Sequence, residues 1–154
     1  MQPKEKNMKR IIDSRKLFDI SKETDLATLK VIYRNLIKEW HPDKFTDEAL
    51  KTEAELKSKA IIEAYHLLVS VSPETHAATL EDYKTTTTTA GIDDFLYKGQ
   101  TLHVTFQDGS KYEYFGVPKN TYNKLINSGN LARFARRHIF EEFTYRNVFK
   151  PMAV

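Results

Sequence analysis

The stretch Lys30–Asp43, KVIYRNLIKEWHPD, decides how the first half of this 154-residue chain is read. It has the pattern of a helix that runs straight into a sharp His41-Pro42-Asp43 corner. Pro42 fixes its own φ, lacks a backbone N–H and pushes His41 out of the helical region, so the helix is expected to stop at Trp40 or His41. Upstream, Leu26, Leu29, Tyr33, Leu36, Ile37 and Trp40 recur at steps of three and four, which makes one face of a 3.6-residue period and hence a core face.

The polar stripe of that helix is more informative. Lys30, Arg34 and Lys38 stand four apart in a row whose lower end reaches His41, with no acidic residue three or four positions from any of them. Like charges at this spacing weaken a helix by about 0.2–0.5 kcal/mol per pair. A merely solvated face ordinarily mixes signs, so the row reads as a docking surface for an acidic partner.

Extended to Ser21–Lys44, SKETDLATLKVIYRNLIKEWHPDK, the segment resembles the second helix and HPD loop of a J-domain, the co-chaperone module of the DnaJ class. The Tyr-Arg-x-Leu-x-Lys-x-aromatic lead-in, the trailing Lys44, and Glu63-Ala64-Tyr65 followed by Leu67-Leu68 carry the resemblance. It implies that His41, Pro42 and Asp43 act together with Lys30, Arg34 and Lys38 on the ATPase domain of a DnaK-class heat-shock chaperone. Hydrolysis of ATP would be triggered there, with Asp43 pairing to an arginine of the chaperone and no chemistry on the J-domain itself. Some positions depart from the family. Ser14 and Arg15 stand where aromatics are usual, Asp19 replaces the glycine of the following turn, and Ser58 falls where a large apolar residue is usual. Either Leu56 and Ile62 fill the space opposite Ser58, or the second and third helices pack loosely there.

Around this segment the pattern predicts a short helix over 8–18, with Asp25 as N-cap of the second helix. A third helix is expected from Thr46 or Asp47 to about Ser70, its apolar row Leu50, Ala54, Ile61, Tyr65 and Leu68 facing the second. Pro73 then opens a fourth, to about Tyr83. The threonine run Thr85–Thr89 has no apolar alternation and so no face to bury, which reads as a linker. This places a J-domain over 1–84, a linker over 85–90 and a second domain over 91–154.

Beyond the threonines the period changes from helical to alternating. Residues 93–97, Thr101–Phe106 and Lys111–Phe115 read as strands, with Asp108-Gly109 as a hairpin turn. Helices follow from Pro118 to about Asn127 and from Leu131 to Phe140, giving a small antiparallel sheet with two helices. The chain is thus expected to be a four-helix J-domain, its second and third helices antiparallel, followed by an α+β domain.

The Leu102/Val104/Phe106 strand, Asp108-Gly109-Ser110, Tyr112-Glu113-Tyr114, Phe115-Gly116-Val117-Pro118, Tyr122 and the Phe134–Ile139 stretch resemble the KTSC domain, a module also found at the C-terminus of some lysyl-tRNA synthetases. That resemblance implies a fold and a suggested role in RNA binding. Proteins that hold single-stranded nucleic acid combine aromatic platforms with basic side chains. Tyr112 and Tyr114 are candidate platforms, and Arg133, Arg136 and Arg137, beside His138, are the candidate basic edge. Hairpin register decides the tyrosines. A two-residue turn sets Thr105 opposite Tyr112 and His103 opposite Tyr114, leaving both rings on the polar face. A three-residue loop with a glycine bulge pairs Val104 with Tyr112 and Leu102 with Tyr114, making them core. So small a domain is short of apolar surface, which favours the core register. The arginines have an alternative too, as partners of Glu141 and Glu142.

Composition sets the outer bounds. Net charge is +3, from 24 basic and 21 acidic side chains, too mild to argue for nucleic acid by itself. The chain has no cysteine, which excludes disulfides and thiolate metal sites and fits a reducing cytoplasm. No apolar run approaches the roughly 18 residues of a membrane span, and no apolar signal core follows the N-terminal MQPKEKNMKR. The histidines show no metal spacing and no nucleophile motif or phosphate-cradling glycine loop is present, so no cofactor, metal or enzymatic activity is expected. The reading that results is a cytoplasmic co-chaperone that stimulates a DnaK-class ATPase, with residues 91–154 as a module targeting RNA or a client protein. The alternative is an RNA-binding protein on a J-like scaffold that does not engage a chaperone.

Overall fold

Helix α1 (Lys9–Phe18) turns Ile11, Ser14 and Phe18 inward. Helix α2 (Leu26–Trp40) starts where Asp25 caps it, accepting from the Thr28 N–H at 2.8 Å. Those bonds from Thr28 hold the Asp25 carboxyl below the usual carboxylate range. The helix stops at the predicted proline: His41 is extended, and Pro42–Lys44 forms a single 3-10 turn. Helix α3 (Glu48–Ser70) packs back on α2. Tyr33 stacks on Tyr65 at 4.0 Å, and the Trp40 carbonyl meets Ser58, so numbers rise along one helix as they fall along the other and the pair is antiparallel. Their core holds Phe18, Leu29, Ile61, Ala64 and Leu68. Leu50, expected in that row, is instead 48% exposed. The Leu26 N–H donates to Glu74 Oε1 at 2.8 Å, tying the start of α2 to the first turn of α4 (Pro73–Thr89).

The computed structural model describes residues 8–149; the outer ends of both expected domains, 1–7 and 150–154, lie outside the described residues. Its contacts divide the chain between His76 and Ala77, into one unit spanning Arg10–His76 and one that includes everything described from Ala77 onward. The expected linker is therefore corrected. Thr85–Thr89 are the last turns of α4, and Thr86 and Thr87 are buried within the second unit. The physical reason is that threonine can bond its own helix. The hydroxyls of Thr87, Thr88 and Thr89 donate to the carbonyls of Tyr83, Lys84 and Thr85, four residues back, at 2.9, 2.6 and 2.6 Å. Thr86 reaches out instead, donating to Asp108 Oδ2 at 3.0 Å.

The second unit is a four-stranded antiparallel sheet in the order β1 (Ile92–Lys98), β2 (Thr101–Phe106), β3 (Lys111–Phe115) and β4 (Thr144–Phe149). Strand β4 was not anticipated. Gly99 and Gln100 join β1 to β2 with φ of 57° and 61°, the signature of a type I′ turn. The next hairpin takes the three-residue loop: Gly109 has φ 89°, the Phe106 N–H bonds the Ser110 carbonyl, and Val104 pairs with Tyr112 and Leu102 with Tyr114. Tyr112 and Tyr114 are accordingly buried, at 5% and 0% exposure, among Leu102, Val104, Phe106 and Phe140. This corrects their candidacy as nucleic-acid platforms, since no base can reach a ring enclosed in the core. Helices α5 (Lys119–Ile126) and α6 (Leu131–His138) supply Leu125 and Ala135 to the same core.

Among the described residues no helix is long and apolar enough to cross a membrane, and no group of His, Asp or Glu is placed to hold a metal ion.

Candidate functional site: the HPD corner and its basic helix

The corner is built by a strict assignment of hydrogen bonds. Pro42 has no N–H to give. The Lys44 N–H returns to the His41 carbonyl at 3.0 Å and the Phe45 N–H to the Pro42 carbonyl at 3.1 Å, closing the turn. The Asp43 N–H donates to His41 Nδ1 at 3.2 Å. Because Nδ1 accepts, the proton of the neutral imidazole sits on Nε2, the nitrogen away from the corner. The His41 and Asp43 side chains lie together at the corner, with Nδ1 3.7 Å from Asp43 Oδ2. Both remain open to solvent, with side chains 51% and 85% exposed. The corner offers one N–H donor and one carboxylate side by side.

Above it, Lys30, Arg34 and Lys38 are all exposed on α2, and among the described residues none has an ion-pair partner. The opposite face is held by Leu29 and by the half-buried Tyr33, Leu36, Ile37 and Trp40. The structure thus brings the six expected residues of this site onto one unit, with the His41 and Asp43 side chains and the three cations exposed.

Sequence reasoning missed what lies behind the corner. Neither Leu56 nor Ile62 fills the space opposite Ser58; they are 68% and 40% exposed. Ser58 itself donates to the Trp40 carbonyl at 2.8 Å, in a partly buried position. The Trp40 ring is flanked by Lys57 Nζ at 5.5 Å and by the Phe45 ring at 6.5 Å. The only signal in the sequence was the oddity of a serine at that place.

In the second unit the five candidate nucleic-acid residues do not converge. Tyr112 and Tyr114 are core, and Arg136 turns its guanidinium to the Thr88 carbonyl at 3.4 Å. Arg133 and Arg137 stay together, lining an open pocket of about 390 Å³ with Ser128, Asn130, Phe134 and His138. The expected alternative, pairing with Glu141 or Glu142, is not seen: among the described residues the three arginines have no ion-pair partner.

An exposed His-Pro-Asp turn at the end of a basic helix, on an antiparallel helical pair, defines a J-domain. Family models agree in both halves, matching a DnaJ domain at residues 16–75 and a KTSC domain at residues 91–143. The chain carries a J-domain followed by a KTSC domain. It is 44% identical over 57 residues to the chaperone protein DnaJ of Aliarcobacter butzleri, covering 37% of this chain and 14% of that protein. To the co-chaperone protein DjlA of Vibrio parahaemolyticus it is 40% identical over 65 residues, 40% of this chain and 23% of the relative. With the human DnaJ homolog subfamily B member 3 it shares 34% over 58 residues, 38% and 39% of the two chains. The chain thus spans less than a quarter of the first two relatives, and the likeness lies in the J region.

Proposed function

We propose that this protein is a co-chaperone that engages a DnaK-class heat-shock chaperone through its HPD corner and the basic face of α2, stimulating ATP hydrolysis on that partner. The observation that carries the reading is the corner itself: an imidazole Nε2–H and a carboxylate exposed side by side, at the foot of three exposed cations that have no acidic partner among the described residues. Unpaired cations on one helix face steer an acidic partner and fix its approach. Pro42 keeps the corner stiff, so little conformational entropy is lost when Asp43 is gripped.

The test is ATPase stimulation of a DnaK-class chaperone by the full-length protein. His41→Gln and Asp43→Asn should each abolish stimulation while circular dichroism and melting temperature stay within error, because both side chains are exposed. Undiminished stimulation by both variants overturns the reading.

A targeting role for the second unit rests on one feature, Arg133 and Arg137, which lie beside Phe134 and have no ion-pair partner among the described residues. They form an anion-binding edge suited to the phosphates of RNA. A gel shift with structured RNA should weaken with salt and vanish in the Arg133→Glu, Arg137→Glu double variant. If no RNA shifts, the RNA reading is overturned.

A further inference from the structure

The last carbonyl of α2 is the one from which the HPD corner departs, and the backbone leaves it without a donor. Pro42 has no N–H; the amides of Asp43, Lys44 and Phe45 are engaged by His41 Nδ1, the His41 carbonyl and the Pro42 carbonyl. A partly buried carbonyl left unsatisfied is costly, and helix C-termini meet this need with side chains or water. Here the hydroxyl of Ser58, brought from the middle of α3, takes the place at 2.8 Å. A mid-helix serine ordinarily bonds back to its own helix or to solvent. This one bonds across to the neighbouring helix, at a position where an apolar side chain could pack against Trp40 but could not donate.

We propose that Ser58 is the positioning residue of the HPD corner: its bond to the Trp40 carbonyl fixes the peptide plane from which His41 projects, and so sets the direction in which Nε2–H and the Asp43 carboxylate face a partner. This rests on the co-chaperone reading. Ser58 touches nothing on the partner; it acts through the Trp40–His41 peptide. Lys57 Nζ and the Phe45 ring also pack near the Trp40 ring, at 5.5 and 6.5 Å. The surface encounter is left to Lys30, Arg34 and Lys38, so aim and attraction are separate.

The experiment compares full-length wild type, Ser58→Ala and Ser58→Thr. In a titration against a DnaK-class chaperone, Ser58→Ala should lower maximal ATPase stimulation about fivefold, the effect of losing one hydrogen bond of typical net strength. The half-saturating concentration should move less than about twofold, since the steering cations are untouched. Ser58→Thr, which keeps the hydroxyl, should restore the maximum. Amide hydrogen exchange at Asp43 and Lys44 should quicken in Ser58→Ala more than at Leu68, and the emission of Trp40, the single tryptophan of the chain, should shift. Unchanged stimulation with unchanged exchange at the corner overturns the proposal, as does a loss of protection spread evenly along α2 and α3, which would mark a merely structural role. Should the wild-type protein stimulate no chaperone, the co-chaperone reading fails. The exchange and fluorescence of the corner then decide by themselves whether Ser58 holds it.

Discussion

Tyr83 lies flat on Tyr145, ring centroids 3.8 Å apart and planes within 6°, and its hydroxyl donates to the Phe140 carbonyl at 2.7 Å. Its one proton being given to the carbonyl, the 3.1 Å contact with Tyr114 must be a bond that Tyr114 donates. This chain of hydroxyls fastens the threonine-bearing end of α4 to the sheet. Tyr83→Phe keeps the stacking and leaves the Phe140 carbonyl and the Tyr114 hydroxyl unpaired in the core. The expected loss is about 1–3 kcal/mol, read from the denaturation midpoint; a change below about 0.5 kcal/mol, the scatter of ordinary surface substitutions, would be against it.

The same cluster should make the second unit sensitive to alkali. Burial pushes Tyr112 up to about 12 and raises Tyr83, Tyr114 and Tyr145. In the unfolded chain these phenols ionise near 10. A folded pKa above the unfolded one means that the stabilisation is complete below about pH 10 and is lost as pH rises toward 12. Phenolate absorbance should therefore appear late and together with loss of tertiary circular dichroism; smooth titration of all eight tyrosines near pH 10 with the fold intact would contradict this.

Function and stability should move in opposite directions along the basic row. Arg34→Glu replaces two like-charge neighbours with two opposite-charge pairs, to Lys30 and Lys38, and should stabilise the helix by about 0.3–0.5 kcal/mol per pair. Stimulation of the chaperone should fall at the same time, chiefly through a higher half-saturating concentration, and its dependence on salt should flatten. A variant that is both more stable and fully active would show that the row is only a solvated face.

Glu113 joins three strands on the other face of the sheet. Its Oε1 lies 2.8 Å from Arg146 Nε, an ion pair by distance without hydrogen-bond alignment, and its Oε2 lies 3.4 Å from His103 Nδ1. With the Glu113 side chain 5% and that of Arg146 19% exposed, Glu113→Ala leaves a largely buried cation without its anion. The expected cost is about 3 kcal/mol. Thermal unfolding checks it, and a melting temperature equal to wild type would refute it.

Much of the fold was legible because its signals are local. Pro42 dictates where α2 stops whatever surrounds it, Asp25 supplies its own cap, and the shift from 3.6- to 2-residue periodicity past Gly91 marks the strands. The basic row was legible for the same reason: charge spacing on one helix is a property of that helix. The resemblance to a J-domain covered the same helix and added His41, Pro42 and Asp43 to its three cations.

What sequence could not reach depends on partners far along the chain. Whether Thr85–Thr89 extend or coil is undecided by threonine itself; the sheet decided it, by offering Asp108 to Thr86 and a buried seat to Thr87. Strand β4 has no alternation strong enough to announce it, and exists because β3 presents an edge to pair with. Ser58 looked like a packing defect until the fold set it against the unclaimed carbonyl of Trp40. By itself the sequence determined the helix stop and the basic row, since each follows from backbone geometry or spacing within a few residues, whereas the hairpin register was settled by the packed sheet, which pairs Val104 with Tyr112 and Leu102 with Tyr114. Tertiary structure alone decided which carbonyl Ser58 caps, because a hydrogen bond between residues 18 positions apart exists only once two helices have been packed.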